Sequence, residues 1–212
     1  MGTIKKGILG GFSGKVGTVV GSSWKGISYM RSLPIKVRNP RTELQLEQRS
    51  KFALTLNYLQ PLTDLLRTGW KLYAHRQSPF NSATSYTLAK AIKGSYPNYT
   101  IEASKVLISR GKLAPASHGT AIATGGAIQF AWDDNSEMSN AKSTDKALLA
   151  VVNSVRSDAV FVIAGSARSE TTQSVNLPAD WLGEDVEAYL GFISQDGREV
   201  ANSVYLGTVT VA

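Results

Sequence analysis

The sequence predicts an α+β fold, in which a β-hairpin and a helical hairpin are followed by an antiparallel β-sandwich. Three observations support this class. Residues 1–33 are rich in glycine and β-branched residues, residues 39–92 carry helix formers with apolar side chains at helical spacing, and the remainder alternates short β-branched segments with turn residues. Because 42% of the 212 residues are hydrophobic and 18% are charged, the chain can bury a sizeable core.

The first predicted element is a hairpin. Seven glycines between residues 7 and 26 oppose a helix. Val16–Ser22 and Trp24–Ser32 are the predicted strands, separated by a short turn of Ser, Trp, Lys and Gly. An isolated hairpin is marginal in water, so this one should pack on its own domain or join the sheet of a neighbouring subunit.

A helix is predicted next. Asn39 can cap it with Pro40 at the first helical position, or Thr42 can cap it with Gln45 as a capping box. Apolar side chains at positions i, i+4 and i+7 form one predicted face: Phe52, Leu56 and Leu59.

The helical region continues beyond a proline. Pro61 must kink the helix or begin a second one. A third helix is predicted from Asn81 or Ser82 to Ile92, and a strand follows over Tyr99–Ser109. These elements complete a basic α+β region that is predicted to span residues 1–112.

Residues 113–212 are predicted to form the sandwich. Seven short strands within about 95 residues, separated by turn residues, are typical of that architecture. The predicted strands are Thr120–Ala123, Ala127–Trp132, Ala147–Asn153, Ala159–Ala164, Gln173–Leu177, Val186–Ser194 and Val204–Val211.

Charge is distributed unevenly along the chain. Residues 1–112 contain 18 basic and 4 acidic side chains, whereas residues 113–212 contain 5 and 12. The first 41 residues hold eight basic side chains and no acidic one. This asymmetry is compatible with head-to-tail assembly of basic and acidic halves, with binding of a nucleic acid or another polyanion, or with a solvated surface that has no specific partner.

The candidate interface or polyanion-binding residues are therefore the early cations and the aromatics between them. They are Lys5, Lys6, Lys15, Trp24, Lys25, Tyr29, Arg31, Lys36, Arg38 and Arg41. Aromatic rings could stack on bases while cations hold phosphates. The sequence contains no helix-turn-helix, RNA-recognition or zinc-finger signature, so any such binding should not depend on base sequence.

The patterns that would indicate catalysis are missing from the sequence. There is no cysteine, the Gly14-Lys15 pair lacks the remainder of a P-loop, and no nucleophile elbow occurs. His75 and His118 are interpreted as surface or cap residues. The acidic run after Trp132 is interpreted as a turn rather than a calcium loop. We therefore predict no catalytic residue, cofactor, metal or small-molecule substrate.

No membrane span or signal peptide is predicted. The longest uncharged run, residues 113–132, is interrupted by proline, histidine, serine, threonine and glycine. The start of the chain lacks an apolar segment of the signal-peptide type. A soluble protein is expected, with its compartment left open.

Several short segments resemble a known family across nearly the whole chain. They are Gly14-Lys15-Val16-Gly17, Trp24-Lys25-Gly26, Arg31-Ser32, Asn39-Pro40-Arg41-Thr42, Gln48-Arg49, Ser78-Pro79-Phe80-Asn81, Tyr96-Pro97, Trp132-Asp133-Asp134-Asn135-Ser136 and Tyr189-Leu190-Gly191-Phe192. On these segments the chain resembles a family of uncharacterised proteins frequent in Bacteroidota. The segment from Asn39 to Thr42 is also similar to phage or mobile-element structural proteins, and residues 115–212 resemble a fibronectin type III-like or immunoglobulin-like module.

These observations favour a non-enzymatic role. The first hypothesis is a structural or adhesive building block that forms homo-oligomers by docking of the basic hairpin, with registration by contacts between basic and acidic regions. The alternative is a protein that binds nucleic acid or another polyanion without regard to sequence.

Overall fold

The computed structural model describes residues 2–4, 7, 10–24, 26–36, 39 and 41–212. By internal contacts the chain divides into two compact units, Met1–Thr42 and Glu43–Ala212. The division therefore falls 70 residues before the boundary at 112/113 that the sequence predicted.

The first unit contains an antiparallel meander of four strands. They are β1 (Thr3–Ile4), β2 (Phe12–Val16), β3 (Val19–Trp24) and β4 (Ile27–Ser32), paired in that order. The predicted hairpin corresponds to β3 and β4, but the first predicted strand began too early. Its start at Val16 belongs to β2, and a turn at residues 17–18 separates it from β3.

The second unit begins with three helices: α1 (Glu43–Leu59), α2 (Thr63–Gly69) and α3 (Pro79–Lys90). A single 3₁₀ turn over residues 60–62, with Pro61 in its first positions, separates α1 from α2, as the proline predicted. The helix α3 begins earlier than predicted because Ser78 caps it: the Asn81 amide donates to Ser78 Oγ at 3.1 Å.

The predicted apolar face of α1 is only partly correct. Leu59 is buried, but Leu56 is half-buried and Phe52 is exposed. The buried side chains of α1 are instead Thr55, Tyr58 and Leu59. The contact face therefore lies toward Tyr58, and the first turns of the helix extend beyond the core.

A short hairpin connects the helices to the strands that follow residue 113. It consists of β5 (Ile92–Ser95) and β6 (Asn98–Ile101), and the Tyr96–Pro97 peptide bond between them is cis. The strand predicted over Tyr99–Ser109 therefore ends at residue 101, where a 3₁₀ turn follows. At residue 108, beyond that turn, the backbone is bound by a side chain and not by a paired strand: the Ile108 amide donates to Ser203 Oγ at 2.9 Å.

All seven predicted strands after residue 113 are present. They are β7 (Ser117–Thr124), β8 (Ala127–Asp133), β9 (Lys146–Asn153), β10 (Asp158–Val162), β11 (Thr172–Asn176), β12 (Asp185–Ile193) and β13 (Val204–Thr210). They form two antiparallel sheets with the strand orders β11-β8-β7 and β10-β9-β12-β13.

Two hydrophobic cores meet at the four-stranded sheet. One contains side chains of both sheets, including Phe130 of β8 and Leu149 of β9. The other lies on the opposite face, where Leu148 and Tyr189 share a cluster with Leu62 and Trp70 of the helical region. Because strand side chains alternate between faces, β9 is buried on both sides. Residues 43–112 are therefore part of the same compact unit as the strands.

A buried arginine joins three segments of this unit. The Arg168 guanidinium lies 3.2 Å from Asp145 Oδ2, donates to Asn135 Oδ1 at 2.6 Å and to the Ala114 carbonyl at 3.0 Å, and its centre lies 3.8 Å from that of the Phe192 ring. Both charged side chains are fully buried. Burial lowers the pKa of Arg168, and the nearby Asp145 carboxylate opposes that shift. These contacts make Arg168 a structural residue.

Candidate interaction surface

The register of the N-terminal sheet sorts its side chains onto two faces. Directly paired residues of antiparallel strands share a face, and successive residues alternate. Lys15 pairs with Val20, and Val20 pairs with Arg31, so these three side chains form one row across β2, β3 and β4. The alternation along each strand then assigns every described residue of the sheet to one side or the other.

The side that holds Lys15 and Arg31 is called the cationic face. Its residues are Thr3, Ser13, Lys15, Val20, Ser22, Trp24, Ile27, Tyr29 and Arg31. Trp24 and Ile27 form a cross-strand pair at the end of the β3–β4 hairpin, Tyr29 lies in the next row, and the two cations lie in the row after that.

Gly26 allows the hairpin to turn between Trp24 and Ile27. Its φ of +85° lies in the left-handed region, which glycine adopts without a steric penalty. The turn therefore leaves a tryptophan and an isoleucine side by side at the tip, 63% and 67% exposed.

The opposite side is called the uncharged face. Its residues are Ile4, Phe12, Gly14, Val16, Val19, Gly21, Ser23, Ser28, Met30 and Ser32, and none of these described residues is ionisable. A side chain at Gly21 would meet the Phe12 ring within 2.4 Å, so the glycine leaves space for that ring. Val16 and Met30 beside it are 54% and 70% exposed.

The structure brings together four of the ten candidate residues. Lys15, Trp24, Tyr29 and Arg31 share the cationic face. Lys36 and Arg41 are exposed in the segment that follows β4. The other four candidates, Lys5, Lys6, Lys25 and Arg38, lie outside the described residues.

Sequence reasoning missed Ile27 as a partner of Trp24, and it missed the uncharged face altogether. It placed Trp24 within the turn, whereas Trp24 is the last residue of β3 and pairs with Ile27 at the start of β4. Gly26 was the available signal, because a glycine in the left-handed region favours a turn between Trp24 and Ile27.

The second unit contains one cluster that superficially resembles a catalytic relay. His118 Nδ1 lies 2.8 Å from Asp133 Oδ2 and 3.2 Å from Ser117 Oγ. Both contacts use the same ring nitrogen, whereas a relay needs one nitrogen for the nucleophile and the other for the acid. The arrangement therefore lacks the geometry of a serine–histidine–aspartate triad.

The acidic run after Trp132 uses its oxygens within the protein. Asp134 Oδ1 accepts the Ser136 amide at 3.0 Å, and Asn135 Oδ1 accepts from Arg168. In the described part of the chain, no group of three His, Cys, Asp or Glu side chains has an arrangement that could hold a metal ion. Across the same residues, no helix is long and apolar enough to cross a membrane.

A depression of the second unit, about 390 Å³ in volume, adjoins a tyrosine network. The hydroxyls of Tyr58 and Tyr189 lie 2.6 Å apart, and Tyr189 donates to the Ala103 carbonyl at 2.9 Å. Burial raises the pKa of both hydroxyls. Both tyrosines therefore stay protonated at neutral pH and act as hydrogen-bonding links between helix and sheet.

Comparison with known proteins identifies a family. A model described as a family of unknown function (DUF6266) matches residues 11–207, which include β2 to β4 as well as nearly all of the second unit. No curated protein and no solved structure matches the chain. The chain therefore belongs to the DUF6266 family of unknown function.

Proposed function

We propose that this protein is a non-enzymatic structural or adhesive building block that forms homo-oligomers through its N-terminal sheet. The observation that carries the proposal is the lack of a core in this sheet: among the described residues of the first unit, only Gly21 is buried. A small antiparallel sheet needs a covered hydrophobic face to be stable in water. A partner that covers one face would supply it.

The uncharged face suits contact with a second copy. It presents Ile4, Val16 and Met30, each more than half exposed. Two cationic faces would repel each other, whereas two uncharged faces can pack as two sheets do in a sandwich, about 10 Å apart. The register thus favours self-association through the uncharged face. The sequence alone suggested a different contact, between basic and acidic regions of neighbouring copies.

The architecture of the second unit also supports a building block. The fourth strand of the sandwich, β10, pairs with the third and not with the fifth. That differs from the constant-type immunoglobulin arrangement and favours a fibronectin type III-like module. The proposal includes a relationship to phage or mobile-element structural proteins, which the segment from Asn39 to Thr42 resembles. It also includes an origin in Bacteroidota, where the family that the whole chain resembles is frequent.

Charged substitutions on the uncharged face test self-association. Val16→Glu with Met30→Glu would place carboxylates in the contact, so we expect the oligomer to dissociate in sedimentation velocity. Ile122→Glu is the matched control, because Ile122 is 62% exposed in β7 of the second unit. Oligomers that persist in the double variant, or a wild-type chain that stays monomeric at high concentration, would contradict the proposal.

The cationic face favours a second candidate function, the binding of a polyanion. Lys15 and Arg31 flank Val20 on the same side of the sheet as Tyr29 and Trp24. This face therefore combines cations with aromatic rings, as the grooves of proteins that bind nucleic acids do. Binding to duplex DNA should then weaken as salt rises and should not depend on sequence. Fluorescence anisotropy with two unrelated duplexes and one single strand, over a salt series, tests it. A preference for one duplex, or no binding at low salt, would contradict it.

A further inference from the structure

We propose that the cationic face docks on an anionic lipid surface, with the tip of the β3–β4 hairpin inserted first. The proposal rests on the second candidate function, polyanion binding, and names the polyanion: the headgroups of acidic phospholipids. It does not rest on self-association, which uses the opposite face.

The order of side chains along the hairpin carries this inference. Trp24 and Ile27 form the outermost row, Ser22 and Tyr29 the next, and Lys15, Val20 and Arg31 the row behind. Among the described residues of this face, polarity thus rises in steps from the row beside the turn toward the row that holds Lys15 and Arg31. The same order occurs at a bilayer surface, where hydrocarbon is followed by the interfacial zone of tryptophan and tyrosine and then by the phosphates.

The spacing of these rows fits the depth of that zone. Arg31 lies four residues from Ile27 along β4, which is about 13 Å at the rise of a β-strand. Apolar side chains of interfacial segments reach about 5–10 Å into the boundary between headgroups and acyl chains. With Ile27 at that depth, the flexible side chains of Lys15 and Arg31 reach the phosphates.

The tip favours a bilayer over a nucleic acid. Ile27 is 67% exposed and has neither a ring to stack on a base nor a charge for a phosphate. Its burial is favourable only in an apolar medium. A nucleic acid would use the cations and Tyr29 but would leave Ile27 in water, whereas a lipid surface uses every row.

The charge of the whole unit favours an anionic surface. Residues 1–42 contain eight basic side chains and no acidic one, whereas residues 43–212 contain 15 basic and 16 acidic side chains. An acidic bilayer attracts the first unit over about a Debye length, roughly 8 Å at physiological salt. The second unit adds almost no net repulsion or attraction, so the first unit sets the orientation of approach.

The protein contains its own reporter for this docking. Of its four tryptophans, Trp70, Trp132 and Trp181 are buried, whereas Trp24 is 63% exposed. A shift of tryptophan emission to shorter wavelength on addition of vesicles therefore reports the hairpin tip. We expect this shift, together with co-sedimentation of the full chain, with vesicles of phosphatidylcholine and phosphatidylserine, and little of either with phosphatidylcholine alone.

Three variants locate the contact. Each charge near an acidic surface changes partitioning about fivefold, so Lys15→Gln with Arg31→Gln should weaken binding on the order of twentyfold. Ile27→Ser should also weaken binding and reduce the emission shift. Ile122→Ser is the matched control: Ile122 is 62% exposed, as against 67% for Ile27, and lies in β7 of the second unit. It should bind as the wild type does.

The outcomes separate the proposals. Equal binding to neutral vesicles, no binding to acidic ones, or an equal loss in Ile122→Ser would overturn the lipid proposal. Tight binding to duplex DNA without binding to vesicles would overturn it in favour of a nucleic acid. If the chain forms oligomers but does not bind vesicles, the lipid proposal is wrong and self-association stands. If the chain is a strict monomer that binds acidic vesicles, the lipid proposal is supported and self-association is contradicted.

Discussion

The two units of this protein use apolar side chains in opposite ways. Residues 43–212 bury three tryptophans and two connected layers of aliphatic side chains, whereas no hydrophobic side chain of residues 1–42 is buried among those described. Their charges differ as well, because the first unit is purely basic and the second is nearly balanced. The second unit therefore contains the hydrophobic core, whereas the described residues of the first unit form none.

The largest effect should come from dividing the second unit itself. The helices cover the outer face of the four-stranded sheet, where Leu148, Val152 and Tyr189 are buried. A fragment of residues 43–212 should therefore melt cooperatively near the temperature of the full chain. A fragment of residues 113–212 exposes that face and should lose much of its stability. Equal melting of the two fragments, measured by circular dichroism, would contradict a shared core.

Matched tryptophan substitutions compare the units directly. Trp70 is fully buried and its Nε1 donates to the Leu107 carbonyl at 3.1 Å. Trp70→Ala should lower the free energy of unfolding of the second unit by about 3–5 kcal/mol. Trp24→Ala should change it by less than about 0.5 kcal/mol, because Trp24 lies in the other unit and is exposed. Urea denaturation followed by far-UV circular dichroism measures both values.

Matched arginine substitutions extend the comparison to charge. Arg168→Ala would leave the Asp145 carboxylate buried without its cation, at a cost of about 3–5 kcal/mol. Arg31→Ala removes an exposed cation from β4 and should leave the urea midpoint of the second unit unchanged. Similar losses in the two variants would mean that the units are not independent in stability.

The smallest effect is a pH dependence at the surface of the second unit. Hydrogen bonds from Arg156 and then Asn153 hold the pKa of Glu184 below its ordinary value. A carboxyl group whose pKa is lower in the folded state than in the unfolded state stabilises the fold at any pH above its unfolded-state pKa, about 4.3 for Glu. This stabilisation is lost as the pH falls from that value through the folded-state pKa. Glu184→Gln should flatten that part of the stability profile. If the free energy of unfolding of Glu184→Gln falls with pH as steeply as that of the wild type, the contacts of Glu184 with Arg156 and Asn153 contribute nothing to the pH dependence.

Sequence patterns were most informative where apolar residues recur at regular spacing along the chain. All seven strands after residue 113 could be predicted, because their residues are β-branched or apolar and are separated by turn residues. The helix before Pro61 was also predictable, but its buried face was not. Phe52 fits the periodicity as well as Tyr58 does, and only the position of the sheet decides which of them is covered.

The candidate surface was predicted in composition but not in arrangement. Lys15, Trp24, Tyr29 and Arg31 attracted notice because basic and aromatic residues occur there without acidic ones. They share a face only because of the register in which the strands pair. A shift of one residue in that pairing would move every side chain of a strand to the other face of the sheet. The position of Met30 on the uncharged face could not be predicted, since an isolated methionine has no periodic signal of its own.

Comparison of the full chain with residues 43–212 by sedimentation velocity tests the central claim most directly. The account predicts that the full chain forms oligomers, while residues 43–212 remain monomeric and keep their cooperative melt. Oligomers of the same size in both proteins would show that association belongs to the second unit, and that the N-terminal sheet is not the contact surface.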